Sequence, residues 1–418
     1  MTQARIRPQR QSITVSEARE LVLASAHPLP SETVGLTECP GRVLAEDVAA
    51  DISIPPADNS AMDGFAVRAA DVSEVPAELR VVDDLPAGRE SRKPVGAGEA
   101  ARIMTGAAIP EGADAVVMIE DTEPLAGGVR ILATAEPGQH VRRAGSDVSP
   151  GTPIASAGDA LRPALVGMLA AIGRTAVRVR QRPTVAVLAT GDELVEPDRL
   201  RDDGRIVSSN SYNLQAALKE IGARPVYLGI SPDEPDRIED RFRQALRCDV
   251  VISTGGVSVG DRDWIKQVLA GLGGEMRLWR VRMRPGAPLA FVVAEERPVF
   301  GLPGNPVSTL VAFEQFVRPV LLRMMGHRRV FRPVASAILE RDYRKPAGRM
   351  HFVRVSLSER DGRLHATPTG DQASNILLSM VRADALAIVD AEATRVAAGT
   401  PVPVQLILRD DLREDPGF

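Results

Sequence analysis

At 418 residues the chain is too long for one ordinary core, and its length suggests about three domains. A formal net charge of −4 and the absence of any Lys/Arg block argue against a nucleic acid as the main partner, and leave small anionic ligands held by local groups. Cys39 and Cys248 are too far apart in sequence to suggest a disulfide framework or a thiolate metal site, which fits a reducing compartment. The start, MTQARIRPQRQSITV, is basic without an apolar h-region, and no later run reaches bilayer length. The expectation is a soluble, cytoplasmic protein without a membrane partner.

Thr14, with Glu17 three residues on, predicts a capping box, and Ala18, Leu21 and Val22 then share one helical face. From about Asp51 to Ser149 short β-like runs broken by Gly and Pro predict a small β-rich domain: Arg80-Val81-Val82, Ala115 to Met118, Val129 to Leu132. Two of its segments are more polar than plain turns require. In PPADNSAMDGFAV, residues 55–67, the side chains of Asp58, Asn59, Ser60 and Asp63 crowd beside Gly64; the other is TGAAIPEGADAV, residues 105–116.

Residues 150–181 read as helical, with Leu165, Met168, Leu169 and Ile172 on one stripe and Gly173 as the stop. If they pack on the first helix, the β-rich stretch is an insertion. The expected domains are a discontinuous helical scaffold (1–50 and 150–181), an inserted β-rich domain (51–149), an α/β domain (182–329) and a C-terminal β domain (330–418).

From Pro183 strands and helices alternate, which predicts a doubly wound parallel sheet covered on both faces. Leu214, Ala217, Leu218 and Ile221 mark a helix stopped by Gly222. Asn305-Pro306 opens a long helix expected to run to Gly326 with a kink near Pro319. Beyond Val330, a hairpin is expected from His351 to Pro368 around Asp361-Gly362, with further strands at Ala385 to Val389 and Val402 to Leu408.

In open α/β sheets ligands bind beyond the carboxyl ends of the strands. Here those ends carry Thr190-Gly191-Asp192-Glu193, Ser231 to Asp233, Ser253 to Asp263, and Pro303-Gly304-Asn305. The third, DVVISTGGVSVGDRD, joins an apolar strand to a glycine turn and two carboxylates; Gly255 and Gly256 let the backbone approach an anion. Glu193, Asp233, Asp261 and Asp263 on one rim, with Asp63 and Asp147 available from elsewhere, would repel one another unless a cation or a proton intervenes. Oxygen ligands with hardly any His or Cys point to Mg²⁺, and Mg²⁺ beside an anion-binding turn suits a phosphate ester or anhydride.

Taken in order, PPADNSAMDGFAV, RIMTGAAIPEGADAVV, LATGDEL, VVISTGGVSVGDRD, RPGAPLAF and GLPGNPVSTLVAF resemble the molybdopterin molybdenumtransferase family (MoeA and the gephyrin E domain) over nearly the whole chain. The resemblance implies a homodimer that takes adenylylated molybdopterin and molybdate, inserts the metal and releases AMP with Mg²⁺ assisting. In such a dimer the β-rich insertion of one protomer helps complete the rim of the other. Carried over by motif, Asp63, Thr105, Asp147, Glu193, Asp233 and Asp263 are the functional polar residues, with Glu193 and Asp263 holding Mg²⁺. Gly255, Gly256, Ser258, Gly260, Asp261, Pro303, Gly304, Asn305 and Pro306 would cradle the substrate, with Arg284, Arg354 and Ser374 as further binding positions. The adenylyltransferase of the same pathway and recipient molybdoenzymes are further candidate partners.

One departure stands out. The family usually has two lysines in a KPGKP pattern, where this chain has Arg284-Pro285-Gly286-Ala287. Arg284 keeps a forked cation, whereas Ala287 loses a charge worth about 1 to 3 kcal/mol toward an oxyanion. Arg280 or Arg282 are the candidates to compensate, according to strand alternation. A paralogue that prefers tungstate, and a molybdopterin-binding scaffold without catalysis, are the alternative readings.

Overall fold

The computed structural model describes residues 12–89, 91, 93–199, 204–255 and 264–407. Thr14 caps the first helix, Val15–Leu23: its hydroxyl accepts the Glu17 N–H at 3.2 Å, and the Glu17 carboxylate accepts the Thr14 N–H at 2.8 Å. The buried face of this helix, Val15, Ala18 and Val22, shares a core with Phe313, Phe316 and Leu321 of the α/β region. Its buried face lies in the core of the α/β region; the sequence left open whether this helix packs on the 150–181 stretch.

That stretch is also mostly extended. Only Pro163–Ala171 is helical, between the strands Pro153–Ala155 and Ala176–Arg180. The alternation in AVRVR is a strand signal, with Val177 and Val179 buried, and Ala176–Arg180 pairs antiparallel with Ser31–Gly35. A second pair joins Val48–Ala49 to Pro153–Ala155, and Leu44, Val148, Leu161 and Leu169 fill the core between. These pairings bring the two flanks of the β-rich stretch together, so it is inserted by strand pairing rather than by helix packing.

The inserted part is a six-stranded sheet in the order Ala115–Met118, Gly64–Val67, Glu99–Ile103, Ala77–Leu85, Gly128–Ile131, Thr122–Leu125. Gly64 is required at its position, because a Cβ there would lie 1.9 Å from the carbonyl oxygen of Val117.

The α/β region centres on another six-stranded sheet, ordered Arg224–Ser231, Thr184–Thr190, Val250–Thr254, Arg297–Leu302, Pro288–Ala294, Glu275–Arg280. The first four strands are parallel, as the alternation predicts. The last two are antiparallel, because Pro288–Ala294 returns to Arg297–Leu302 through a two-residue turn, Glu295-Glu296, with both φ values positive. Without glycine there, the sequence hid the hairpin. Val185, Val187, Val250 and Ile252 face one core, and Ala186, Leu188 and Val251 face the other, so both sheet faces are covered. The long helix after Asn305 is Pro306–Ala312, then a π-helical turn Phe313–Val317, then Arg318–Met324; Gly326 ends it at φ +82°. The irregularity thus precedes Pro319, whose missing N–H breaks the regular ladder.

The C-terminal part is a closed barrel: Met350–Arg360 pairs with Arg363–Pro368 and Ala385–Val389, and Val334–Leu339 and Pro401–Leu406 complete the ring. The expected Asp361-Gly362 turn is present, with φ values of 51° and 68°.

Candidate functional site

The four parallel strands end level with one another. Thr190 lies opposite Ser231, Ala189 opposite Thr254, and Thr254 opposite Leu302. The residues that follow, Gly191, Pro232, Gly255 and Pro303, therefore emerge side by side. They are stitched together across the strands: the Gly191 N–H donates to Ser231 O at 3.3 Å, and the Asp233 N–H donates to the Asp192 carboxylate at 3.1 Å. Gly255, at φ +87°, turns so tightly that a Cβ would lie 2.3 Å from Thr190 O. Gly256, Ser258, Gly260, Asp261 and Asp263 lie outside the described residues.

Glu193 is exposed, and its carboxylate folds back over Gly191, where a Cβ would meet it at 2.7 Å. Asp233 is raised above the ordinary aspartate value, by desolvation first and then by the charges of Asp192 and Glu193. Three carboxylates are thus close enough to feel one another at the end of the first two strands. Asp192 was not among the residues expected to act, although it stands in the GDEL run.

Asn305 and Pro306 begin the long helix, but the Asn305 side chain does not cap it. Its Nδ2 donates to Ser374 Oγ at 3.0 Å, while the Val307 N–H donates to Ser374 O at 3.2 Å. Thr309 Oγ1 donates to Pro303 O at 2.5 Å and fixes the turn from beneath. Asn210, nine-tenths buried, donates from Nδ2 to Gly304 O at 2.7 Å, and its Oδ1 is buried without a partner. The polar run Ser208 to Ser211 ahead of a helical period was the signal for Asn210, and it went unused.

Ser374 reaches the rim from the C-terminal barrel. Arg354, 1% exposed, donates to Ser379 Oγ at 3.1 Å and to the carbonyls of Ala373 and Asp371 at 3.1 and 3.4 Å. Burial brings its guanidinium down to about 10. Arg354 thus braces the loop that carries Ser374. Arg284 is exposed and pairs in register with His351, whose imidazole is pushed down to about 4 by burial and then by Lys345, Arg284 and Arg349. Val281 and Met283 are buried while Arg280, Arg282 and Arg284 are exposed, but the strand ends at Arg280 and a tight turn from Val281 to Met283 intervenes, so strand alternation does not decide between the two candidate replacements.

A second polar cluster forms in the inserted domain. Asp63 accepts from the Thr105 N–H and Oγ1–H, each at 2.7 Å, and these bonds hold its carboxyl below the ordinary aspartate value. Asp58 accepts from the Ala144 N–H at 2.8 Å and from Arg143 at 2.6 Å. The exposed Asp147 sits in the same turn, with its N–H on Ile54 O at 3.0 Å. The segments that carry Asp63, Thr105 and Asp147 therefore meet, and among the described residues no hydrogen bond joins them to the sheet rim.

This arrangement has close relatives. Family models match residues 13–173 (MoeA N-terminal region, domains I and II), 186–323 (probable molybdopterin binding domain) and 336–407 (MoeA C-terminal region, domain IV). The chain belongs to the MoeA family. Two curated members, each named molybdopterin molybdenumtransferase, are 38% identical over 90% of this chain and 88% of the relative (Nostoc sp.) and 36% identical over 97% of both (Bacillus subtilis). A solved MoeA protein from Pyrococcus horikoshii OT3 is 31% identical, with a TM-score of 0.81 over 94% of this chain and all of that one. In MoeA terms the inserted sheet lies in the N-terminal region, and the rim in the molybdopterin binding domain.

Proposed function

We propose that this MoeA-family chain is a molybdopterin molybdenumtransferase: it binds adenylylated molybdopterin and molybdate, transfers the metal to the dithiolene and releases AMP. The observation that carries the reading is the level rim, where a glycine turn, a helix-opening Pro-Gly-Asn and a carboxylate group meet at four strand ends. Backbone N–H groups suit the phosphates, and the carboxylates suit a hard cation.

The donor set fits Mg²⁺. Among the described residues no three His, Cys, Asp or Glu side chains make a metal cage by themselves. Mg²⁺ is held elsewhere by one or two carboxylates plus substrate phosphates and water, which is what Glu193 and its neighbours offer. When bound it would neutralise charge on the pyrophosphate. Glu193 orients that charge, with Asp263 as its expected companion. Asp233, lifted above the ordinary aspartate value by burial and by Asp192 and Glu193, is the carboxyl that would relay protons from solvent, two of them for each oxo group that leaves molybdate as water. Arg284 supplies the forked cation for an oxyanion, and the exposed Arg280 and Arg282 just before it are the candidates to offset Ala287.

The Asp63, Thr105 and Asp147 cluster completes the rim of a second protomer, which makes the working unit a homodimer. No described helix is long and apolar enough to cross a membrane, and Cys39 and Cys248 are free and buried, which supports a cytoplasmic setting. The test is purified protein with adenylylated molybdopterin, Mg²⁺ and molybdate, with AMP measured by chromatography. Release that depends on molybdate supports the reading; tight binding without release would leave a molybdopterin-binding scaffold, and release with tungstate alone an altered anion preference.

A further inference from the structure

Between the strand Thr184–Thr190 and the helix Ser209–Glu220 the chain makes an excursion that carries Glu193. Leu194–Val195 pairs with Ile206–Val207, the Ile206 N–H donates to Glu193 O at 2.8 Å, and the Ser208 N–H donates to Val195 O at 3.0 Å. A ribbon of two residues a side is not self-supporting. Among its described residues the apolar anchoring is also slight: Val195 is buried, but Ile206 is 59% exposed.

Beyond the bonds from Gly191 to Ser231 and from Asp233 to Asp192 at its start, the excursion is tied down further along by Glu196. One of its oxygens accepts from Tyr212 at 2.9 Å and the other from Tyr227 at 2.7 Å. Tyr212 stands in the first turn of the helix, and Tyr227 in the middle of Arg224–Ser231, the strand that ends next to Asp233. The two rings lie 6.3 Å apart, tilted at 52°. Burial lifts the Tyr227 hydroxyl to about 12, so it stays a donor at any working pH. Tyr212 is 46% exposed, so its ring contributes less to the core than its hydroxyl does to Glu196.

We propose that Glu196, clasped by Tyr212 and Tyr227, is a positioning residue that fixes the Glu193 loop against the strand bearing Asp233. The reading rests on Glu193 working in AMP release. Glu193 and Asp233 are then referenced to one strand, and a loop free to shift by about 1 Å would cost turnover up to roughly a hundredfold while leaving the substrate cradle at Gly255 and Gly304 in place.

The test uses the full chain with Tyr212→Phe, Tyr227→Phe and the double variant, which keep both rings and remove only the hydroxyls. The expected result is a fall in kcat of about tenfold or more in the double variant, with the KM for adenylylated molybdopterin within about twofold of the parent. Hydrogen exchange at the Ile206 amide should quicken at the same time, with thermal unfolding little changed. Glu193→Gln is run alongside. If Glu193→Gln stops AMP release while the double variant keeps the parent kcat and the parent exchange at Ile206, the positioning role is overturned and the role of Glu193 survives. If Glu193→Gln turns over normally, the underlying reading fails instead. A double variant that loses its fold is replaced by Tyr212→Phe alone, at the exposed position, where an unchanged kcat and an unchanged Ile206 exchange would equally overturn the clasp.

Discussion

Asp63 and Asp233 sit on polar turns of two different domains, yet they are pushed in opposite directions. Asp63 has its partners supplied by the chain: Thr105 donates twice, and the carboxylate is satisfied as an anion. Asp233 has a backbone hydrogen bond from Asp192, but desolvation and the charges of Asp192 and Glu193 outweigh it. Asp63 and Asp58 are satisfied within the inserted domain, whereas among the described residues the rim sets Asp192, Glu193 and Asp233 close together. That difference supports the proposal that a cation or a proton is taken up at the rim, with the inserted cluster as a preformed wall beside it.

The sharpest way to break the contrast is to neutralise the rim. Glu193→Gln should lower AMP release about a hundredfold or more in a steady-state assay, with its unfolding transition unmoved. Next comes the backbone that shapes the rim. Gly255→Ala puts a Cβ 2.3 Å from Thr190 O at a positive φ, and should cost about 3 kcal/mol in denaturant unfolding; a neutral result would mean the turn can reopen without loss. Smaller again is the tie to the barrel: Ser374→Ala and Asn305→Ala should each cost about 1 kcal/mol, and a double-mutant cycle should show their coupling.

The smallest effect is the pH dependence, and it has opposite signs in the two regions. Asp233 titrates above its ordinary 3.8 in the folded state, so as pH rises through that window the unfolded chain loses its proton first and stability falls, remaining lower above it. Asp63 titrates below 3.8 when folded, so its contribution is present above that value and is lost as pH falls through the folded value. Thermal midpoints against pH should therefore improve at neutral pH in Asp233→Asn and worsen in Asp63→Asn. Equal shifts in one direction would remove the contrast.

Much of this was legible in the chain. Alternating apolar runs with glycine stops placed the parallel strands and the Thr190, Ser231, Thr254 and Leu302 ends, because fully buried strands and helix stops leave local signals. What escaped was decided by tertiary partners. The first helix has an apolar face that fits either neighbour, and only packing chose Phe313 and Phe316. The Glu295-Glu296 turn lacked the usual glycine, so the antiparallel edge was invisible. Asn305 read as a cap because Asn-Pro usually caps, yet Ser374, 69 residues away, took its amide. Arg354 read as a ligand group, whereas in the structure its charge is used on the Ser374 loop.

We propose that the two clusters work as one site shared between protomers, and a mixing experiment tests this directly. Asp63→Ala and Glu193→Gln proteins, each inactive alone, are exchanged into mixed dimers and assayed for AMP release with molybdate and Mg²⁺. If the inserted cluster of one protomer serves the rim of the other, each mixed dimer regains one intact site, and turnover recovers to about a quarter of the unmutated protein. Mixed dimers that stay at the level of the separate variants would contradict it.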